Sequence, residues 1–185
     1  MTISNLVIHE KLPFEDYRQL SGMSFSGTKT FTPIVPTFKM KLGTALDQYL
    51  TEPEKYDGFE YDMIRKAAPL VRQKMGGLWN KLEKQLSYTC TMKYKDFELL
   101  HKGRPDFCIP GKIVIDLKYV EDKAAIERFD YPSQLSGYSL SLNCPMAFIL
   151  EMSRKRNEAK LIACRISSEF WERQILLRGN MVDDY

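Results

Sequence analysis

The sequence has no closely spaced pair of cysteines, which argues against a zinc or iron–sulfur centre. Its four cysteines are far apart in the chain and form no C-x-x-C pair: Cys90, Cys108, Cys144 and Cys164. Zinc and iron–sulfur sites usually take their ligands in such close pairs. Because each cysteine has apolar or strand-like neighbours, we expect four buried thiols in a reducing cytoplasm.

Long apolar runs are also missing from the chain. No stretch approaches the roughly 20 consecutive apolar residues that a membrane-spanning helix needs. The first residues, Met1 to Asn5, do not form the charged start of a signal peptide, and no internal repeat or low-complexity tract follows. We therefore expect a cytoplasmic protein with no membrane partner, folded as a single domain over residues 1–185.

The sequence has little excess charge of either sign. Its 27 basic and 24 acidic residues leave a net charge of +3. Proteins that bind nucleic acids strongly usually carry a much larger basic excess. The composition therefore permits an anionic partner without requiring one.

The periodicity of the apolar residues predicts an irregular segment over residues 1–37 and a core over residues 38–178. Helical spacing appears first, then alternation typical of strands, and then a mixture of the two. The predicted helices are 38–50, 61–86 with breaks at Pro69 and at Gly76-Gly77, 123–142 with Pro132 at a start or kink, and 167–177 capped by Ser167 or Ser168; the predicted strands are 87–95, 97–109, 112–120, 146–152 and 159–166. This order predicts an α/β fold with a mixed central β-sheet flanked by α-helices.

The segment from Gly103 to Lys118 carries the most informative pattern in the chain. It contains Gly-Arg-Pro-Asp, a tight turn, and then Ile-Val-Ile-Asp-Leu-Lys. Residues two apart on a strand face the same side, so Asp116 and Lys118 project together, and a hairpin can place Asp106 beside them. Unsatisfied charges at the end of a buried strand are costly, so two carboxylates and a lysine there would be an unusual choice for structure alone. The alternative is an ordinary β-hairpin whose ends carry solvated charges.

Hydrolysis of a phosphodiester would use all three residues. Asp106 and Asp116, with the carbonyl of Leu117, supply the oxygen ligands that Mg²⁺ prefers. Lys118 can orient a water molecule and offset the charge that develops on the phosphate. Two other segments fit the short E-x-K pattern, but neither follows a β-branched strand: Glu121-Asp122-Lys123 and Glu158-Ala159-Lys160.

These motifs resemble motifs II and III of the RecB-like branch of the PD-(D/E)xK nucleases, close to the phage-type exonucleases related to exonuclease VIII and lambda exonuclease. The run from Leu42 to Asp47, followed by Leu50 to Pro53, is similar to the first motif of that family. Gln134 and Tyr138 match its Q-x-x-x-Y helix motif, and Ser24 to Gly27 resembles its serine-rich N-terminal segment. The sequence departs from the family at Asp47, where a histidine is usual, and at Tyr119, where a threonine is common.

The resemblance implies a restriction-endonuclease-like core and a metal-dependent DNA exonuclease acting in phage-type recombination or replication. It implies Mg²⁺ as the cofactor, with Mn²⁺ as a substitute, and DNA, a further copy of the chain and a single-strand-annealing recombination protein as partners. The implied residues are Asp106, Asp116, Lys118, Gln134 and Tyr138 for catalysis, Asp47, Asp106, Asp116 and Leu117 for the metal, and Arg104, Gln134 and Tyr138 for DNA. The alternatives are an endonuclease on the same core and a DNA-binding module without catalytic activity.

The sequence also predicts the environment of a few further residues. Arg104 either binds a phosphate or pairs with an acidic neighbour, and His101 is predicted to be a surface residue of a strand. The cluster Arg154-Lys155-Arg156 is expected in a solvated loop that could touch the DNA backbone. Gly43 is expected to allow close packing of the first helix against the sheet, so that Asp47 lies on the inner face of that helix.

Overall fold

The computed structural model describes residues 1–10, 12–25, 36–122 and 131–181. In these residues the chain forms two β-sheets and five α-helices. The helices are α1 (Phe14–Gln19), α2 (Phe38–Thr51), α3 (Tyr61–Met75), α4 (Tyr131–Ser141) and α5 (Glu169–Arg178). The strands are β1 (Thr2–His9), β2 (Glu83–Lys84), β3 (Ser87–Tyr94), β4 (Phe97–Gly103), β5 (Phe107–Ile109), β6 (Ile113–Val120), β7 (Met146–Ser153), β8 (Glu158–Ala163) and β9 (Asn180–Met181).

The larger sheet is mixed and has the strand order β2-β5-β6-β7-β8. β6 and β7 are parallel, and the other neighbouring strands are antiparallel. The β-branched run at the start of β6 is buried on both faces: Val114 belongs to an apolar cluster with residues of α4 and α5, and Ile115 to one with residues of α2 and α3. The predicted α/β fold with a mixed sheet flanked by helices is confirmed.

A second sheet, which the sequence did not predict, has the strand order β1-β3-β4-β9 and is antiparallel. The single strand predicted over residues 97–109 is in fact two strands, β4 and β5, which belong to different sheets. Pro105 lies between them, and a proline has no N–H to donate to a central strand. The chain therefore leaves one sheet at Gly103 and enters the other at Phe107.

The prediction that residues 1–37 are irregular is wrong for the residues described there. Residues 2–9 form β1, at the edge of the second sheet, and residues 14–19 form α1. Most side chains of β1 are exposed, including Leu6, Val7 and Ile8. An edge strand with this exposure lacks the alternation of apolar and polar residues that identifies a half-buried strand.

His101 is fully buried, and the prediction that it is a surface residue is wrong. The carbonyl of Met23 is 2.7 Å from its Nδ1, and the hydroxyl of Tyr88 is 3.0 Å from its Nε2. The ring also packs against Trp171, with 4.4 Å between the ring centroids. Because both ring nitrogens have partners, the imidazole can be buried without a large cost.

Prolines and glycines end some of the predicted helices and not others. α3 continues through Pro69, because Pro69 and Arg65 are both exposed and water can satisfy the carbonyl of Arg65 that loses its partner. The break at Gly76 is confirmed: α3 ends at Met75, Gly76 has a φ of +52°, and a 3₁₀ turn follows. Pro132 is in the first turn of α4, and residues 123–130 of that predicted helix lie outside the described residues.

Three of the four cysteines are buried as free thiols, and Cys164 is partly buried. Among the described helices, none combines the length and the apolar composition required to cross a membrane.

Candidate active site

A cavity of about 800 Å³ is lined by residues of α1, α2 and α4 and by the segment that joins β4 to β5. Five of the predicted site residues line it: Asp47, Arg104, Asp106, Gln134 and Tyr138. Asp116 and Lys118 are on β6, and Asp106 is hydrogen-bonded to the residue between them. The structure therefore brings all the predicted side chains into one region.

Asp106 is tied to β6 by a hydrogen bond to the main chain. The N–H of Leu117 donates to Oδ2 of Asp106 at 2.6 Å. This contact fixes the carboxylate beside the strand that carries Asp116 and Lys118. Leu117 thus meets Asp106 through its N–H, and a role for its carbonyl as a metal ligand stays a prediction.

Asp116 and Lys118 form an ion pair on one face of β6, between Nζ and Oδ2. Asp116 is buried, with 3% of its surface exposed, and Lys118 is partly buried. The ammonium of Lys118 also lies 4.7 Å from the centroid of the Tyr131 ring.

Asp47 reaches this region from α2, and its partner is a residue that the sequence did not single out. The side-chain amide of Gln85 donates to both carboxylate oxygens of Asp47, at 2.9 and 2.8 Å. The backbone N–H of Gln85 donates to the carbonyl of Asp106 at 3.0 Å. A glutamine in a short turn between two strands has no periodic signal, so sequence patterns do not identify it.

The predicted close packing of α2 at Gly43 is wrong. A Cβ built at Gly43 meets no atom within 4 Å. α2 instead packs through its larger apolar side chains, including Leu42 and Leu46, and these place Asp47 beside the cavity.

Arg104 is buried and is held by three groups of the protein. Its Nε donates to Oε1 of Gln85 at 2.7 Å, its Nη1 donates to the carbonyl of Leu12 at 2.9 Å, and its Nη2 lies 3.6 Å from Oε1 of Glu52. Of its two alternatives, pairing with an acidic neighbour is the one that the structure contains. Binding of a phosphate by Arg104 stays a prediction.

Gln134 and Tyr138 are one helical turn apart on α4 and both face the cavity. Nε2 of Gln134 donates to the hydroxyl of Tyr138 at 2.9 Å. Burial, and the negative charge of Asp116 in addition, raise the pKa of Tyr138 well above its ordinary value. Tyr138 is therefore a neutral hydroxyl at physiological pH and can act as a hydrogen-bond donor.

Burial and neighbouring carboxylates raise the pKa of two carboxyl groups of the site, Asp47 and Asp106. Burial, and then the charge of Asp116, raise the pKa of Asp47 to about 7, against the opposing effects of Gln85 and Arg104. Burial, and then the charges of Asp47 and Asp116, raise the pKa of Asp106 well above its ordinary value. Burial lowers the pKa of Lys118, but Asp116 and Asp106 outweigh it, so the net shift is upward. Such a group of carboxyls is costly to ionise without a cation beside it.

This donor set suits a hard divalent cation, because it consists of carboxylate oxygens. In the described residues, however, no three acidic, histidine or cysteine side chains stand together as a formed metal site. Each carboxylate instead has a partner in the protein: Asp47 and Asp106 accept hydrogen bonds from Gln85 and Leu117, and Asp116 is ion-paired with Lys118.

The basic cluster Arg154-Lys155-Arg156 lies in the turn between β7 and β8, as predicted, and Lys155 is exposed. Arg156 is only partly exposed, and it pairs with Asp122 at 3.1 Å, with Glu158 at 3.0 Å and with Glu151. Lys160, in one of the two competing E-x-K segments, is on β8 and pairs with Glu158 at 3.0 Å. Lys123, in the other, lies outside the described residues.

No protein-family model matches the chain, and no curated protein matches its sequence. Among solved structures, it is similar to the crystal structure of a candidate exonuclease from Eubacterium rectale, with a TM-score of 0.54 and 16% identity. That similarity covers 79% of this chain and 65% of the exonuclease candidate, so the chain spans less than two thirds of that protein. A second structure, of the protein SSO0001, has a TM-score of 0.44 and 16% identity over 74% of this chain and 76% of its own, which is too low to establish a shared fold. The first likeness shows that the chain shares an α/β fold with that protein.

Proposed function

We propose that this protein is a metal-dependent deoxyribonuclease with its active site at Asp106, Asp116 and Lys118. One observation carries the proposal: Asp106, Asp116 and Lys118 are joined through β6, and Asp106 lines the same cavity as a third carboxylate, Asp47 of α2. The raised pKa values of Asp47 and Asp106 support it, because a bound cation would stabilise their ionised forms. The fold that the chain shares with a candidate exonuclease agrees with this chemistry.

Asp47, Asp106 and Asp116, with the carbonyl of Leu117, would hold a Mg²⁺ ion, and Mn²⁺ would substitute for it. When bound, such an ion polarises the scissile phosphate and lowers the pKa of a water molecule. Lys118 keeps its proton at neutral pH, because Asp116 and Asp106 raise its pKa, and it offsets negative charge on the phosphate. Gln134 and Tyr138 would donate hydrogen bonds to the DNA from α4.

We infer that the activity is exonucleolytic and that it serves phage-type recombination or replication, as the motif resemblance implies. Assembly into an oligomer and a single-strand-annealing partner belong to the same proposal. An endonuclease on this core would differ in one property that can be measured: it would cut DNA that has no ends.

The experiment is digestion of end-labelled linear duplex and of closed circular DNA by the purified protein, with Mg²⁺, with Mn²⁺ or with a chelator. We expect nucleotide release from the linear DNA with either metal, no release with the chelator, and intact circles. Cleavage of the circles would show that the activity is endonucleolytic instead of exonucleolytic. Absence of any metal-dependent cleavage would leave a DNA-binding module and overturn the proposal.

A further inference from the structure

α1 presents two aromatic rings to the cavity that contains Asp47 and Asp106. The rings of Phe14 and Tyr17 are stacked, with 6.2 Å between their centroids and 26° between their planes. We refer to these two residues as the aromatic ledge. Phe14 is 51% exposed, whereas Tyr17 is 9% exposed and forms the buried side of the ledge.

Two cations of the segment at the end of β4 hold the ledge in place. Nζ of Lys102 donates to the carbonyls of Arg18 at 3.0 Å and of Leu20 at 2.7 Å, where α1 ends. Nη1 of Arg104 donates to the carbonyl of Leu12, just before α1 begins. A helix of six residues is too short to be stable alone, so these contacts determine its position. The exposed ring of Phe14 is therefore presented in a fixed place.

The surroundings of the ledge favour a neutral aromatic ligand over a phosphate. The guanidinium carbon of Arg104 is 5.6 Å from the centroid of Phe14, but its charge is already paired with Glu52, and its Nε and Nη1 donate to Gln85 and Leu12. Glu15, which pairs with Arg18 at 3.5 Å, also lines the cavity next to Phe14, so this side of the cavity offers no free cation for a phosphate among the residues named here. A nucleobase has an uncharged π-face, and each of the four bases can stack on an aromatic ring.

We propose that Phe14 is a stacking platform for an unpaired nucleobase of the DNA strand whose phosphate reaches Asp106. This inference rests on the proposed nuclease function and specifies its substrate as a DNA end with at least one unpaired base. A base inside a duplex has both faces covered by its neighbours, so it must leave the stack to meet a protein ring. The cavity of about 800 Å³ is within the size range of pockets that enclose a small ligand such as a nucleotide.

The test measures binding of a short single-stranded oligonucleotide with 2-aminopurine at its end, whose fluorescence falls when the base stacks. A chelator is present, so that cleavage does not interfere. Four proteins are compared: the native protein, Phe14→Ala, Phe14→Trp and Phe38→Ala. Phe38 is the matched control, because it is an exposed phenylalanine, 49% accessible, on α2 and does not line the cavity.

We expect Phe14→Ala to bind about tenfold more weakly and to lose the fluorescence change, because it lacks one base–aromatic stack. Phe14→Trp should keep the native affinity and the fluorescence change, and Phe38→Ala should behave as the native protein. The native protein should also bind an oligonucleotide with an abasic end about tenfold more weakly, and this result does not depend on any variant folding. A closed circular duplex, in which every base has both faces covered, should bind equally to the native protein and to Phe14→Ala.

Equal affinities of the native protein for the normal and the abasic end would overturn the platform. If the native protein still cleaves DNA, the failure concerns the ledge alone. If the native protein neither binds nor cleaves DNA, the proposed function fails together with it.

Discussion

Asp47 is the residue at which this chain departs from the first motif of the nucleases that it resembles. If it completes the metal site, Asp47→Ala should raise the metal concentration that gives half-maximal cleavage and cut the rate severely. Asp47→His should recover part of the activity and shift the preference from Mg²⁺ toward Mn²⁺, because imidazole is a softer donor than a carboxylate. Metal titrations of the three proteins measure this, and an unchanged metal response in Asp47→Ala would remove Asp47 from the site.

His101 makes the stability of the fold depend on pH. Burial lowers its pKa from 6.5 to about 4, against a hydrogen bond from Nδ1 of the ring to the carbonyl of Met23 that raises it. The unfolded chain binds a proton near pH 6.5 and the folded chain does not, so this residue stabilises the fold above that pH. The stabilisation is lost as the pH falls from 6.5 to 4 and amounts to roughly 3 kcal/mol.

His101→Gln removes this titration while keeping a polar side chain in the same place. We expect the free energy of unfolding, measured with a chemical denaturant, to fall less steeply for His101→Gln than for the native protein between pH 6.5 and 4. Parallel curves for the two proteins over that range would show that His101 is not buried as a neutral ring.

At the residue scale, the sequence was sufficient to predict which side chains share a face wherever their spacing within one helix or strand determines this. Asp116 and Lys118 are two apart on a strand, and Gln134 and Tyr138 are four apart on a helix, so each pair had to share a face. Gln85 and His101 could not be found in this way, because their importance comes from partners distant in the chain. Asp47 and Arg104 supply those partners for Gln85, and Met23 and Trp171 for His101.

The packing of α4 against α5 depends on a glycine. A Cβ at Gly137 would lie 2.6 Å from Nε1 of Trp171, whose ring is fully buried and donates to the carbonyl of Ser133 at 2.9 Å. We expect Gly137→Ala to lower the free energy of unfolding by about 1–3 kcal/mol, because neither helix can move freely.

Gly43 in α2 is the matched control, since a Cβ there meets nothing within 4 Å. Gly43→Ala should raise the free energy of unfolding by about 0.5–1 kcal/mol, because alanine favours a helix. Denaturant titrations of both variants give the comparison, and a loss of stability in Gly43→Ala equal to that in Gly137→Ala would contradict this account of the packing.

At the scale of elements, the order of the core helices and strands was predictable, and the division into two sheets was not. Residues 97–109 read as one strand because their pattern contains only one interruption. Which sheet β4 and β5 each join depends on pairings with β3 and β6, and such pairings leave no local pattern. β1 was not predicted for a related reason, since the apolar alternation that marks a strand requires a buried face, and most side chains of β1 are exposed.

The charge of the whole molecule sets an expectation for DNA binding. A net charge of +3 implies few contacts with phosphates, so the affinity for linear DNA should fall only shallowly as salt increases. Measurement of the dissociation constant over a series of salt concentrations gives the slope. Affinity that does not change between low and physiological salt would count against a protein that contacts the DNA backbone.

In the proposed active site, Lys118 acts together with Asp106 and Asp116 in the cleavage step. The most direct measurement compares Lys118→Ala with Lys160→Ala, because both lysines lie on strands of the larger sheet and both pair with a carboxylate. Cleavage of linear DNA in Mg²⁺ is followed with enzyme in excess, and DNA affinity is measured on the same preparations. We expect Lys118→Ala to cleave at least about a hundredfold more slowly while binding DNA nearly as well as the native protein, and Lys160→Ala to match the native protein in both. Near-native cleavage by Lys118→Ala would contradict the assignment of the active site.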